Sequence, residues 1–519
     1  MERSFVYVII GGGVAAGYAA LEFTKKGVSH GELCIISDES VAPYERPALS
    51  KGFLLPEAPA RLPGFHTCVG ANEEKLTPNW YKDHGIELIL GTRVESADVR
   101  RKTLLTSTGE TITYKFLIIA TGARATRLEE IGITGSDAEN VCYLRNLADA
   151  TKLVNMMGKC TGGNAIVIGG GYIGMECAAS LVINKINVSM VFPGSYCMGR
   201  LFTPKIASYY EDFYKSKGVN FIKGTALSSF VFNSKGKVTG AFLKNGRYLP
   251  VDMVVVGIGA HPNTSLFEDQ LTFENGGIQV NSRFQSSNTS VYAVGDVASF
   301  PVKLFGDSRR LEHVDLARKS AKHAVSAIME PRNTSDFDYL PFFYSRVFSL
   351  SWRFYGDNVG EVIPFGDFSG TKFGAYWVNK GRLVGCFLES GENEEYEAIA
   401  KAIRLKPVVS DLSKLQRDGV DFVKEISLKP LVNGSGFSLL FKKPVYIWYA
   451  TSGIVVAASV AAFAYWYAKK QHEGIWSSGM ILALGARGPE FDSRNAPFLF
   501  RFSCDLHCYQ TNAEMKPQK

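Results

Sequence analysis

Two glycine clusters constrain this chain more than anything else in it. The first closes an apolar run, Val6-Tyr-Val-Ile-Ile-Gly-Gly-Gly-Val-Ala-Ala-Gly17, and contains Gly11-x-Gly13-x-x-Ala16. The second, Ala165-Ile-Val-Ile-Gly-Gly-Gly-Tyr-Ile-Gly-Met-Glu176, repeats the design as Gly169-x-Gly171-x-x-Gly174. In each, a strand-like run meets glycines and then a helix-like segment. Glycine lets the backbone turn sharply and lets a pyrophosphate come close. The helix that follows directs its free N–H groups and positive dipole end at that phosphate. One such turn is a weak signal, because strand-to-helix glycine turns also occur as plain structure. Two of them predict two dinucleotides, and two dinucleotides predict electron transfer between them.

The rest of the chain predicts an α/β architecture of two Rossmann-like dinucleotide-binding domains, a mixed α/β C-terminal domain and one C-terminal transmembrane helix. Residues 5–36 read as strand, glycine turn, helix (Tyr18 to Lys25) and strand (Leu33 to Ile36). The acidic Ser37-Asp38-Glu39 that follows is where a ribose hydroxyl would be gripped. Phe116 to Ala123 reads as a buried return strand, Val254 to Gly259 as its counterpart in the second unit. Thr289 to Asp296 brings the chain back to the first. The expected layout is a first, discontinuous domain at 1–122 and 257–330 and an inserted domain at 123–256. A third domain follows at 331–432 and a linker at 433–443.

Composition removes other classes. A net charge of only +7 without a long basic block argues against nucleic acid as a partner. Nine scattered cysteines do not make a disulfide framework, which points to a reducing compartment. Cys504-x3-Cys508 with His507 lacks two further ligands, so no metal site is expected. The N-terminus is not expected to be a signal peptide, because its apolar run passes straight into the glycine turn.

Pro444 to Ala468 is a run of 25 uncharged residues between Lys442-Lys443 and Lys469-Lys470. At ~1.5 Å per residue this spans a ~30 Å hydrocarbon core. Tyr446, Trp448 and Tyr449 at one end, and Tyr465, Trp466 and Tyr467 at the other, make an aromatic belt at each interface. Residues 469–519 show no periodicity and are expected to be poorly ordered.

With these motifs in hand, the sequence resembles plant monodehydroascorbate reductase in its membrane-anchored form, from about Phe5 to Ala468. The resemblance rests on Tyr44-Glu-Arg-Pro-Ala-Leu-Ser-Lys51, Arg61-Leu-Pro-Gly-Phe-His66, Cys197-Met198 with Arg200-Leu-Phe-Thr203, Arg310-Leu-Glu-His-Val-Asp315, Ala317-Arg-Lys319 and Phe343-Tyr-Ser-Arg346. More distantly, the core is similar to ferredoxin reductases and apoptosis-inducing factor, in a glutathione-reductase-like arrangement. The early Cys-x4-Cys pair of disulfide reductases is absent, so a flavin–dithiol relay is not expected.

The resemblance implies a tightly held FAD, a transient NADH and the monodehydroascorbate radical as acceptor. Carried over by motif, FAD falls to Gly13, Val14, Ala15, Ala16, Glu39, Arg46, Lys51, Val94, Arg145 and Asp296. The nicotinamide nucleotide falls to Gly169, Gly170, Gly171, Tyr172, Ile173, Gly174, Met175, Arg200, Gly259, Glu312 and His313. The acceptor falls to Arg318 and Tyr344. A fixed cation such as Arg318 suits an acceptor whose product is an anion. Cys68 matches a family cysteine and is either beside the acceptor or a buried, inert thiol. One departure stands out. The family's second unit ends its strand with Pro-Glu, whose carboxylate grips the adenosine ribose, whereas here Val191-Phe-Pro-Gly194 places Gly194 there. A weaker preference for NADH over NADPH is expected. The resemblance also implies a single-pass tail anchor in the peroxisomal (glyoxysomal) membrane, although the tail from Gln471 is longer than the short basic end usual for such forms. Two other functions fit the same motifs less well: a ferredoxin-type reductase, and a redox-sensing NADH-binding interaction protein.

Overall fold

The computed structural model describes residues 2–428 apart from Ala58 and Pro63. The expected linker at 433–443, the span at 444–468 and the tail at 469–519 lie outside the described residues. Among the described residues no helix is long and apolar enough to cross a membrane.

The first glycine turn closes the central strand of a seven-stranded sheet. Strand Glu2–Ile10 lies between Leu33–Ile36 and Thr111–Ile119, parallel to both, and Val291–Ala293 adds in parallel on the far side of Thr111–Ile119. Where these strands pack side by side, at Val8 to Ile10, Leu33 to Ile36, Leu117 to Ile119 and Val291 to Ala293, they are apolar and buried because both faces are covered, the usual pattern of a parallel sheet. Helix Val14–Lys25 covers one face. It starts four residues earlier than the expected Tyr18, because Ala15, Ala16 and Gly17 are small enough to begin the helix directly at the turn.

The second unit repeats this geometry. A parallel five-stranded sheet runs in the order Val219–Lys223, Asn187–Phe192, Asn164–Ile168, Met253–Val256, Val141–Cys142. Register aligns the two units residue by residue. Ile10 pairs with Ile36 and Ile119, and Ile168 pairs with Val191 and Val256. The glycines follow at once in both. Gly11 has φ of +120° and Gly169 of +116°. A Cβ at Gly11 would lie 2.2 Å from the Ala120 carbonyl oxygen, and one at Gly169 would lie 2.2 Å from that of Gly257. Only glycine permits both the dihedral and the approach.

Beyond helix Val314–Met329 lies an antiparallel five-stranded sheet in the order Phe342–Val347, Leu350–Gly356, Arg382–Glu389, Phe373–Asn379, Glu361–Gly366. Helices Asn393–Leu405, Leu412–Asp418 and Val420–Leu428 follow it. Its edge strand, Phe342–Val347, alternates in burial, with Ser345 inside and Tyr344 and Arg346 outside. The seven cysteines within the described residues are all buried and none is in a disulfide.

Candidate active site

A cavity of about 1520 Å³ runs from the first glycine turn to the strand Phe342–Val347. Of the residues expected to hold FAD, Gly13, Val14, Ala15, Glu39, Arg46, Lys51, Val94, Arg145 and Asp296 line it. Ala16 sits behind them, fully buried in the helix. Tyr172, Ile173, Glu312, His313 and Tyr344 also line it. Gly169, Gly170, Gly171, Gly174, Met175, Arg200, Gly259 and Arg318 do not.

Both turns fit a dinucleotide. A Cβ on Gly171 would meet nothing within 4 Å, and on Gly13 its closest neighbour would be Arg46 Nη2 at 3.7 Å. Their φ values of −81° and −93° are open to any residue. Neither dihedral nor packing within the chain therefore requires glycine at these positions, which leaves room for a ligand to lie close against the backbone. Helices Val14–Lys25 and Tyr172–Ile183 have no side-chain cap at their N-termini, which leaves N–H donors for an anion. Gly174 has another role. Its Cβ would lie 2.3 Å from the Gly169 carbonyl oxygen, so it lets helix and strand pack closely.

The charged residues near the first turn are held in pairs. Arg46 Nη2 donates to Glu39 Oε1 at 2.6 Å, and the Tyr44 hydroxyl donates to Glu39 Oε2 at 2.7 Å. Burial alone would pull the Arg46 guanidinium down, but Tyr44 and Glu39 outweigh it and hold it above its ordinary value. Arg145 Nη2 meets Asp296 Oδ2 at 2.7 Å. Lys51 Nζ meets Glu176 Oε2 at 2.9 Å.

An aromatic ladder crosses the cavity wall on the second side. Tyr172 meets Phe343 edge-on at 5.0 Å, and His313 stacks on the same Phe343 ring at 5.0 Å. Burial pushes the Tyr172 phenol up to about 12, with Glu312 and Glu176 adding to it. Burial holds the His313 imidazole down at about 4, against the opposing pull of Asp296 and Asp315. It is neutral at physiological pH, and its Nδ1 is buried with no partner among the described residues. Arg200 lies on an exposed loop, where its carbonyl accepts from Asn358 Nδ2 at 2.5 Å. Gly259, with φ of +131°, follows the strand Met253–Val256, and its carbonyl accepts from the Thr126 N–H at 3.0 Å.

Arg318, on helix Val314–Met329, forms an ion pair with Glu45, and the Tyr18 hydroxyl donates to the other oxygen of that carboxylate at 2.9 Å. Burial lowers the Arg318 guanidinium, but Glu45 and Tyr18 raise it past its ordinary value. Arg318 Nε is buried without an acceptor among the described residues. Tyr344 is 37% exposed, and burial raises its phenol while Arg318, the charge that acts on it most, lowers it. Cys68 is fully buried behind Gly17, where a Cβ would come within 2.6 Å of its Sγ. Burial, then Glu45, push its thiol well up, so it stays protonated.

Glu45, Ser50, Glu176, Phe343 and Ser345 stand inside the sequence motifs but are not among the site residues that those motifs imply. Glu176 did carry a signal: it is the one acid in the otherwise uncharged helix Tyr172–Ile183 and is 2% exposed. A lone acid in such a helix must find partners.

Fold and site together define a reductase that couples a nicotinamide nucleotide to a flavin. Residues 5–324 match the pyridine nucleotide-disulphide oxidoreductase family, and residues 340–423 match the monodehydroascorbate reductase 3-like C-terminal domain. The chain is 70% identical over 485 residues to monodehydroascorbate reductase 4, peroxisomal, of Arabidopsis thaliana, covering 91% of this chain and 99% of that protein. It is 66% identical to monodehydroascorbate reductase 2, peroxisomal, of Oryza sativa subsp. japonica, over 91% of this chain and 99% of that one. Among solved structures, the putidaredoxin reductase–putidaredoxin complex superposes with a TM-score of 0.73 at 26% identity, covering 82% of this chain and 99% of that chain. The chain belongs to the monodehydroascorbate reductases of the pyridine nucleotide-disulphide oxidoreductase family. Its cofactors are FAD and NAD(P)H.

Proposed function

We propose that this chain reduces the monodehydroascorbate radical to ascorbate with electrons from NAD(P)H. FAD, when bound, supplies the conversion from a two-electron donor to one-electron acceptors. The first turn, with Glu39, Arg46, Lys51, Arg145 and Asp296, would hold FAD. The second turn, with Tyr172, Glu312, His313, Arg200 and Gly259, would hold the nicotinamide nucleotide. Neutral His313 can take or give a hydrogen bond at Nδ1 without adding charge. The observation that carries the acceptor assignment is the unpartnered Arg318 Nε–H beside the exposed Tyr344 phenol. A buried donor without an acceptor calls for one from a ligand, and an anion suits a guanidinium. The ferredoxin-type and redox-sensing readings lack such support, since relatives at 66% and 70% identity carry the monodehydroascorbate reductase name.

The test is steady-state NADH oxidation in the presence of freshly generated radical. Wild-type turnover is expected to depend on the radical. Arg318→Leu is expected to lose roughly 10–100-fold in kcat/KM for the radical, the worth of one charged hydrogen bond. Its rate of flavin reduction by NADH is expected to stay normal. Turnover that needs an iron–sulfur protein instead would refute the assignment.

The same reading extends to location. Residues 444–468 are proposed to anchor the protein in the peroxisomal membrane, which their length and aromatic belts support. Full-length protein should stay with membranes after alkaline carbonate extraction. A chain lacking 444–468 should be released. Equal release of both would rule out the anchor.

A further inference from the structure

Glu176 ties three distant segments together. Its Oε2 accepts from the Ser50 hydroxyl and, at 2.9 Å, from Lys51 Nζ. Its Oε1 accepts from the Ser345 hydroxyl at 2.5 Å. Ser50 and Lys51 follow the turn that carries Arg46, Glu176 follows the second glycine motif, and Ser345 lies on the edge strand of the C-terminal sheet. Glu176 and Ser345 are 2% and 3% exposed, so no bulk water substitutes for these donors. Lys51, Glu176 and the neighbouring Tyr344 all line the cavity.

We propose that Ser345 is a positioning residue that acts on FAD through Glu176, setting how much of the Lys51 positive charge the cavity feels. The inference rests on the flavin reading of the cavity. Its physical basis is charge sharing. A buried carboxylate distributes its charge over the donors it has. Ser345 is the only donor to Oε1 among the described residues. Without it, Glu176 draws more strongly on Lys51, and the field presented to the cavity becomes less positive. Reduction adds negative charge to the flavin, so a less positive field makes reduction harder. Ser345 also fixes the strand register. Alternation on Phe342–Val347 places Tyr344 outward when Ser345 points in, and a one-residue slip would exchange them. One hydroxyl therefore connects the acceptor-facing tyrosine to the lysine beside the flavin.

The experiment is a dye-linked reductive titration of the FAD-loaded full-length protein, which reads the flavin midpoint potential independently of turnover. Ser345→Ala is expected to shift the flavin equilibrium at least threefold toward the oxidised form. Ser345→Thr, which keeps the hydroxyl, is expected to restore the wild-type value. Ser50→Ala, which removes a donor from the other oxygen, is expected to shift it in the same direction and covers the case of Ser345→Ala failing to fold. An unchanged potential in the alanine variants, even with lowered thermal stability, would show a purely structural role and overturn the proposal, as would a shift toward the reduced form. A wild-type chain that takes up no FAD would instead sink the flavin reading itself, a distinct failure.

Discussion

Gly171→Val is expected to give a folded, FAD-containing protein that NADH reduces about 100-fold more slowly than wild type. A Cβ at this position has no protein atom within 4 Å, and φ of −81° suits valine. Folding therefore loses little. The same side chain would stand where the pyrophosphate must approach the helix N-terminus, and displacing a bound substrate by about 1 Å costs on the order of 10²-fold. Gly169→Ala should behave in the opposite way. Its φ of +116° and the 2.2 Å approach to the Gly257 carbonyl oxygen make it a folding defect, costing roughly 1–3 kcal/mol for the backbone conformation alone. Thermal unfolding, flavin content and single-turnover reduction by NADH distinguish the two. Loss of flavin and stability in Gly171→Val would show that the position serves packing and not the nucleotide.

Gly194→Glu is expected to change nucleotide choice by roughly 10–100-fold in favour of NADH over NADPH, the worth of one charge-assisted hydrogen bond. The two units define the position. Ile36, partner of Ile10, is followed three residues later by Glu39, and Val191, partner of Ile168, is followed three residues later by Gly194. The first unit thus has a carboxylate at the position proposed to grip a ribose, and the second has no side chain there. Gly194 is exposed, and a Cβ would meet the Tyr196 carbonyl oxygen at 3.4 Å and Phe192 Cδ2 at 3.8 Å, ordinary contacts. A glutamate therefore fits. It would gain the ribose 2′-hydroxyl of NADH and repel the 2′-phosphate of NADPH. The ratio of kcat/KM for the two nucleotides in wild type and variant reads this directly. An identical ratio in both proteins would rule out a role for this position.

The contrast between Glu39 and Gly194 is legible in the sequence, because Glu39 follows the strand run Leu33 to Ile36 and the family resemblance implies an acid where Gly194 stands. So are both turns themselves. The first helix begins at Val14, four residues before the Tyr18 that the sequence pattern predicts, since Ala15-Ala16-Gly17 carries little apolar periodicity of its own. Helix formation there follows from contact with the sheet. The role of Glu176 is hidden in the sequence for a related reason. Its place in the helix is local, but its partners lie 126, 125 and 169 residues away.

The amino-acid sequence by itself determined the paired strand–turn–helix units and their order. Each depends on dihedral freedom or apolar runs within a few consecutive residues. Tertiary structure alone decided which charges meet. Arg145 finds Asp296 across 151 residues, and Arg318 finds Glu45 across 273. Glu176 likewise gathers Ser50, Lys51 and Ser345 from two other segments. A charge on a solvated chain has no preferred partner. It acquires one only when packing of the sheets removes water and leaves few groups within reach.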